Sequence, residues 1–197
     1  MATRMRWFLL AILVAGASCA TPAIGPAAGP LYRVTATVMA VPGKTVNACA
    51  FEPLPYPPIG CGGAQVVGLD LASAPGAHTY TNGVVETGLV RLVGVWEHGV
   101  LNLRSPPTAA SSSKDATPTP QCAQDQGDAA VPNPPPWAQS ILSDDALLKA
   151  HNIQLLSFYV CQGSLFIAVA VADRETVDFL TKRYAPVRVA GWLRPVS

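Results

Sequence analysis

Five cysteines and three histidines carry most of the reactive chemistry in this chain: Cys19, Cys49, Cys61, Cys122 and Cys161, with His78, His98 and His151. Thiolate and imidazole are the usual zinc ligands, but they come at short spacings such as Cys-x-x-Cys or paired histidines on one helix face. Neither spacing occurs, and no histidine lies near a cysteine in sequence, so no metal and no cofactor is expected. Glu97-His98 would work as a general acid–base pair only with a nucleophile folded against it. Gly163-Ser164 lacks the flanking residues of a nucleophile elbow, and Gly60 to Gly63 lacks the spacing of a phosphate-binding loop. Asp144-Asp145 reads as helix-end charge rather than as a catalytic dyad. A paired-carboxylate hydrolase needs no local motif. His98 gathered with Asp70 or Glu86 in a deep cleft would mark that alternative.

The cysteines make better sense as anchors and staples. Met1 to Arg6 carries two arginines and no acid, Trp7 to Gly16 is an unbroken apolar run of ten, and Ala17-Ser18-Cys19-Ala20 is small-residue throughout. Charged, apolar, then small is the order of a secretory signal. The run is half the about 20 residues needed to span a bilayer. Cys19 stands where lipoprotein precursors carry the cysteine that becomes acylated, although Gly16 occupies a position usually held by a branched apolar residue. The competing route is cleavage after Ala20. The expectation is an exported protein, held as a lipoprotein at the outer surface of the cell membrane or else secreted.

Either route leaves Cys49, Cys61, Cys122 and Cys161, which in an oxidising compartment implies two disulfides. Cys49 and Cys61 flank Phe51-Glu52-Pro53-Leu54-Pro55-Tyr56-Pro57-Pro58, a loop too irregular to hold itself by backbone pairing. They are expected to pair, leaving Cys122 with Cys161. A closed, proline-stiffened loop displays a surface at low entropic cost, which makes Tyr56 a candidate contact residue, with Trp96 the candidate among the tryptophans.

Around these residues the chain divides into a signal sequence (1–20), an Ala/Pro/Gly tether (21–30), a β-rich domain (31–104), a Pro/Ser-rich linker or loop (105–137) and an α+β unit (138–197). Tyr32 to Val38 alternates apolar and polar, and Gln65 to Leu71 reads as a second strand. Leu89 to Trp96 and Val100 to Leu103 form a hairpin turning at Glu97-His98-Gly99. Ser105 to Trp137 has no apolar periodicity, although Cys122 argues for one point tied down. In the last part Ser143 is the expected N-cap of a short helix stopped at Asn152. Ile153–Val160 and Leu165–Val171 pair as a hairpin. Asp173 caps a helix to about Tyr184 with Glu175 early and Lys182 and Arg183 late, Pro186 ends it, and Val187–Leu193 closes the chain as a strand. The expected fold is α+β: a small β-barrel or curled antiparallel sheet, OB-like at best, followed by an α-β-β-α-β unit.

The stretch from Cys49 through Pro57-Pro58-Ile59-Gly60-Cys61-Gly62-Gly63, then Val67-Gly68-Leu69-Asp70 and Leu92-Val93-Gly94-Val95-Trp96, resembles uncharacterised exported proteins of actinobacteria over about residues 32–104. Leu69 and Leu71 stand where those proteins often show tryptophan. The resemblance implies export, a 49–61 disulfide and a β-rich first half, and carries no activity.

The formal charge is +1. Without Arg4 and Arg6 of the signal, 11 basic residues face 12 acidic ones, giving −1. No basic stripe is present, so nucleic acid is not an expected partner. The function expected is that of a non-catalytic envelope protein, a binding or structural module for an envelope partner or ligand. An extracellular hydrolase is the alternative.

Overall fold

The computed structural model describes residues 29–51, 57–111, 113–120, 136–161 and 164–197. Cys19, Tyr56 and Cys122 lie outside these residues, as does the Cys161 side chain, so neither the lipid site nor a Cys122–Cys161 bridge falls within them. Strand outweighs helix, 39% against 15%, and the α+β expectation holds in that coarse form.

Alternation builds the larger sheet. β1 (Leu31–Ala36) buries Tyr32, Val34 and Ala36 and turns Arg33 outward, the period-two pattern of a strand with one covered face. After Thr37 the chain continues as β2 (Val38–Ala40), then β3 (Val46–Cys49) and β4 (Gly63–Val67). A small hairpin follows, β5 (His78–Thr79) with β6 (Val85–Glu86). Next comes the expected hairpin of β7 (Val90–Glu97) and β8 (Val100–Leu103). His98 (φ 52°) and Gly99 (φ 78°) both take the left-handed backbone that a two-residue hairpin turn demands. β1 pairs antiparallel with β7, β3 with β2 and with β4, and β6 with β2.

The barrel expectation needs correcting on two counts. The sheet is open, its path running β13-β1-β7-β8-β4-β3-β2-β6-β5, where β13 is Arg194–Pro195. It is also not wholly antiparallel, because β4 runs parallel to β8. The chain changes partners at Thr37, which lies between β1 and β2 and belongs to neither strand. β1 faces β7 and β2 faces β3, while the edges left over are taken by β13 on one side and by the β5–β6 hairpin on the other. One stretch of chain, 31–40, thus supplies a strand near each end of the path.

Among the described residues, one apolar core joins the first sheet to the C-terminal part. Val34, Val38, Ala48, Val66, Leu92 and Leu101 of the sheet pack with Val171, Trp192 and Leu193 from the C-terminal part. Trp192 is 1% exposed, and truncating so large a buried ring costs about 3–5 kcal/mol. A smaller cluster, Met39, Cys49 and Val84, has Val41, Cys61 and Tyr80 packed against it. There Cys49 and Cys61 are joined, with Cα atoms 5.4 Å apart, as the irregular loop between them led one to expect.

The first half of the Pro/Ser-rich segment is not a free linker. β9 (Thr108–Ala109) pairs with β7. Further on, Asp115 and Thr35 exchange two bonds: Asp115 N donates to Thr35 O at 2.8 Å, and Thr35 N donates to Asp115 Oδ2 at 2.7 Å. Thr117 Oγ1 donates to Ala50 O, and the Trp192 ring Nε1 donates to Asp115 O, both at 2.9 Å. Proline removes donors, so such a segment cannot form its own ladder; here it borrows partners from the sheet.

The C-terminal part holds a second sheet, β10 (Leu155–Cys161), β11 (Ser164–Val169) and β12 (Val187–Gly191). The hairpin β10–β11 is as expected, and β11 and β12 are parallel. Parallel neighbours need a crossover, supplied by a helix at Arg174–Tyr184. Before this sheet come α1 (Pro136–Ser143) and α2 (Asp145–Ala150), and the crossover helix is α3. Asp173 Oδ1 accepts from Thr176 N at 2.8 Å, the N-cap foreseen from sequence. Leu180 and Tyr184 are buried with Leu165, Ile167 and Ile141 in a second core.

Ser143 does not cap a helix; it ends α1, which was not foreseen. Asp144 takes the N-cap position of α2 but makes no capping bond, because α3 claims its carboxylate. Arg183 Nε and Nη2 donate to its two oxygens at 2.7 and 3.0 Å, and the Tyr184 hydroxyl donates at 2.6 Å. These bonds, Arg183 first and then Tyr184, hold the Asp144 carboxyl below its usual range. Burial, and then the bond to Asp144, push the Tyr184 phenol up to about 12.

Candidate functional site

A cleft of about 420 Å³ lies between the larger sheet and the α2–β10 connection, within the range of small-molecule sites. Its floor comes from β3 and β4. Asn47 and Gln65 are registered partners across the two strands, so both side chains leave the same face. Their neighbours Ala48, Ala64 and Val66 point the other way, into the core. Thr45, just before β3, and the His98-Gly99 turn form one rim. The turn reaches the floor because β4 and β8 are parallel with Gln65 opposite Val100.

The facing wall is Asp145, Leu148 and Lys149 of α2, followed by Asn152, Ile153, Gln154 and Leu155. Asn152 (φ 58°) stops the helix and swings the chain toward β10. Leu148 and Ile153 are buried beneath this wall. Gln154 clamps wall to floor: its side-chain Nε2 donates to Gly63 O, and its backbone oxygen accepts from Ala170 N at 2.9 Å. Gly63 (φ 159°) is where floor and clamp meet. A Cβ there would overlap the Ala48 carbonyl oxygen and come within 2.8 Å of Ala50 N, so only glycine fits.

Half of the polar side chains that line the cleft are primary amides, Asn47, Gln65, Asn152 and Gln154; the others are Thr45, His98, Asp145 and Lys149. Each amide offers donors and an acceptor and carries no charge. Asp145 and Lys149 neutralise one another at 2.7 Å while both stay exposed, a pair that contributes little to stability. His98 is the imidazole of the rim. Neither Asp70 nor Glu86 serves it. Asp70 accepts from Ala72 N and Ser73 Oγ in its own loop, whereas Glu86 accepts from the Tyr80 hydroxyl at 2.5 Å and lies 3.9 Å from His78 Nε2. The carboxylate that does line the cleft with His98 is Asp145.

Trp96 is half-buried on β7, packed against the main core. His151 stacks on Phe179 with ring centres 4.0 Å apart. The amide residues of the cleft were missed from sequence. Single asparagines and glutamines carry no spacing signal, and only the β3–β4 register and the Gln154 clamp bring them together. Among the described residues no group of three or more His, Cys, Asp or Glu is placed to hold a metal ion, and no helix is long and apolar enough to cross a membrane. No protein-family model, curated protein or solved structure matches this chain.

Proposed function

We propose that this is an exported protein, of the actinobacterial kind it resembles over residues 32–104, held at the outer face of the cell membrane through a lipidated Cys19. Its folded part acts there as a non-catalytic binding module. The single observation that carries the binding role is the amide-lined cleft, in which Asn47 and Gln65 face Asn152 and Gln154. Amides bind without titrating and do not act as nucleophiles. The ligand they suit is uncharged and polar, rich in hydroxyl or amide groups.

The finer reading of the fold supports this. Segment 31–40, β3, β4, β7 and β8 are taken as a five-stranded, partly open OB-like curl. Such folds bind through the face of the second and third strands and through the loops joining first to second and fourth to fifth. Counted that way, Asn47 and Gln65 lie on the second and third strands, Thr45 on the first of those loops, and His98 and Gly99 on the other.

The test has two arms. The intact mass of the protein from an exporting host is expected to show an acyl addition at Cys19; an unmodified chain starting after residue 20 defeats the tether. Titration of the ¹⁵N-labelled protein with neutral oligosaccharides and uncharged peptides is expected to move the side-chain amides of Asn47, Gln65 and Gln154. Asn47→Ala with Gln65→Ala should weaken that binding about ten-fold or more, the effect of losing two hydrogen-bonding groups. Turnover of a ligand that is lost on His98→Ala would make the cleft an active site instead.

A further inference from the structure

A second polar concavity lies away from the cleft, on the outward face of β1 and its neighbours. It is a basin of about 140 Å³ lined by Arg33, Thr35, Arg91, Asp115 and Arg194. Strand register assembles it. Arg33 stands directly opposite Arg194 across β1–β13, Thr35 directly opposite Arg91 across β1–β7, and Arg33 and Thr35 share a face of β1. All three arginines are exposed. Like charges facing one another on adjacent strands destabilise a sheet, and the one carboxylate present does not balance them. Asp115 Oδ2 is occupied by the Thr35 N–H, and Oδ1 is 4.0 Å from Arg194 Nη2. Three guanidinium groups against one carboxylate leave two positive charges in a mature chain whose net charge is −1.

We infer that this basin binds the phosphate of an anionic lipid headgroup. Planar guanidinium forks match phosphate oxygens two at a time, and an anion between them would relieve the repulsion of Arg33 and Arg194. The volume is below the roughly 300–1,000 Å³ of drug-sized ligand sites and suits one anionic group. An isolated basin without a continuing basic stripe is not a track for nucleic acid. The bilayer is the source because β1 is where the chain leaves the tether. Arg33 follows Cys19 by 14 residues, a span of at most about 50 Å, so a lipidated Cys19 keeps the basin at high effective concentration beside the membrane. This placement rests on the lipid-tether reading. Val196, 42% exposed and two residues beyond Arg194, hydrogen-bonds through its N–H to Leu31 O at 2.9 Å, which ties residues after β13 to the start of β1.

The experiment uses the full chain with neutral phosphatidylcholine vesicles or with vesicles containing phosphatidylglycerol. Each sample is treated with an arginine-selective dicarbonyl reagent and read by peptide mass spectrometry. Arg33, Arg91 and Arg194 should be protected several-fold on the anionic vesicles only, while Arg174, which is 96% exposed, labels equally on both. Arg33→Gln should lower binding to the anionic vesicles about five-fold, the effect of one basic residue near such a surface. Equal labelling of the three arginines on both vesicle types overturns the proposal. Protection by inorganic phosphate on neutral vesicles, with none from phosphatidylglycerol, overturns the headgroup as its source. The same digest reports whether Cys19 carries acyl mass, so failure of the tether and failure of the basin are read separately.

Discussion

Asp144 and Tyr184, forty residues apart, share a hydrogen bond of 2.6 Å that fastens the α1–α2 turn to the last turn of α3. Arg183 completes the clamp with two bonds to the same carboxylate. The two partners respond to opposite ends of the pH scale. Asp144 has a folded pKa below its ordinary 3.8, so its contribution is present above that value and is lost as pH falls through the depressed one. Tyr184 is raised from 10.0 to about 12, so its contribution is present below pH 10 and is lost as pH rises toward 12. Urea melts across pH should show the wild type losing its advantage over Asp144→Asn in acid, and its advantage over Tyr184→Phe in alkali. Parallel curves for wild type and variants would mean that the clamp does not bear on stability.

Gly63→Ala should destabilise the fold by about 2–4 kcal/mol, since the new Cβ collides with backbone rather than with a side chain able to turn away. The damage should reach the cleft, because Gly63 O accepts the Gln154 clamp. Denaturant unfolding gives the first quantity. Amide shifts of Asn47 and Gln154 in the folded variant give the second.

Reducing the Cys49–Cys61 bond frees a loop with a sequence separation of 12. Loop-closure entropy for that length predicts a loss of about 3 kcal/mol. Cys49 is fully buried beside Met39 and Val84, so Cys49→Ala with Cys61→Ala should loosen the β5–β6 hairpin as well. Thermal melts with and without reductant test the loss. A double variant unaffected by reductant would show that no other disulfide contributes.

Asp115→Ala should cost about 1–3 kcal/mol by leaving the buried Thr35 N–H without its acceptor. Hydrogen exchange at Thr35 should speed up while exchange in α3 stays unchanged. Loss of protection throughout the protein would instead mean that residues 113–120 hold the whole sheet.

Features that depend on neighbouring residues were legible in the sequence. α3 shows an acid at its N-cap, charges placed to suit each end and a proline beyond it, all between residues 173 and 186. The β7–β8 hairpin shows two alternating runs around His98-Gly99. Features that depend on distant pairing were not. β3 is four residues long and ends at Cys49, where the irregular disulfide loop begins, and the two-residue β13 is too short to carry a period. The parallel β4–β8 junction leaves no local trace. α1 begins at Pro136 after two further prolines, where the composition reads as loop, although proline suits the first turn of a helix. The cleft belongs to the second kind: Asn47, Gln65 and Gln154 are ordinary surface residues until the register of β3 and β4 and the turn at Asn152 set them face to face.

The pairing of β13 with β1 and the packing of Trp192 beneath the first sheet put residues 192–195 into the structure made by residues 31–103. While residues 192–195 are still being synthesised or threaded through a pore, the main core lacks its largest side chain and β1 lacks a neighbour. The β-rich part therefore finishes folding only once residues 192–195 have been delivered. On the export route proposed above, the same ordering would keep the β-rich part from closing until residues 192–195 have crossed.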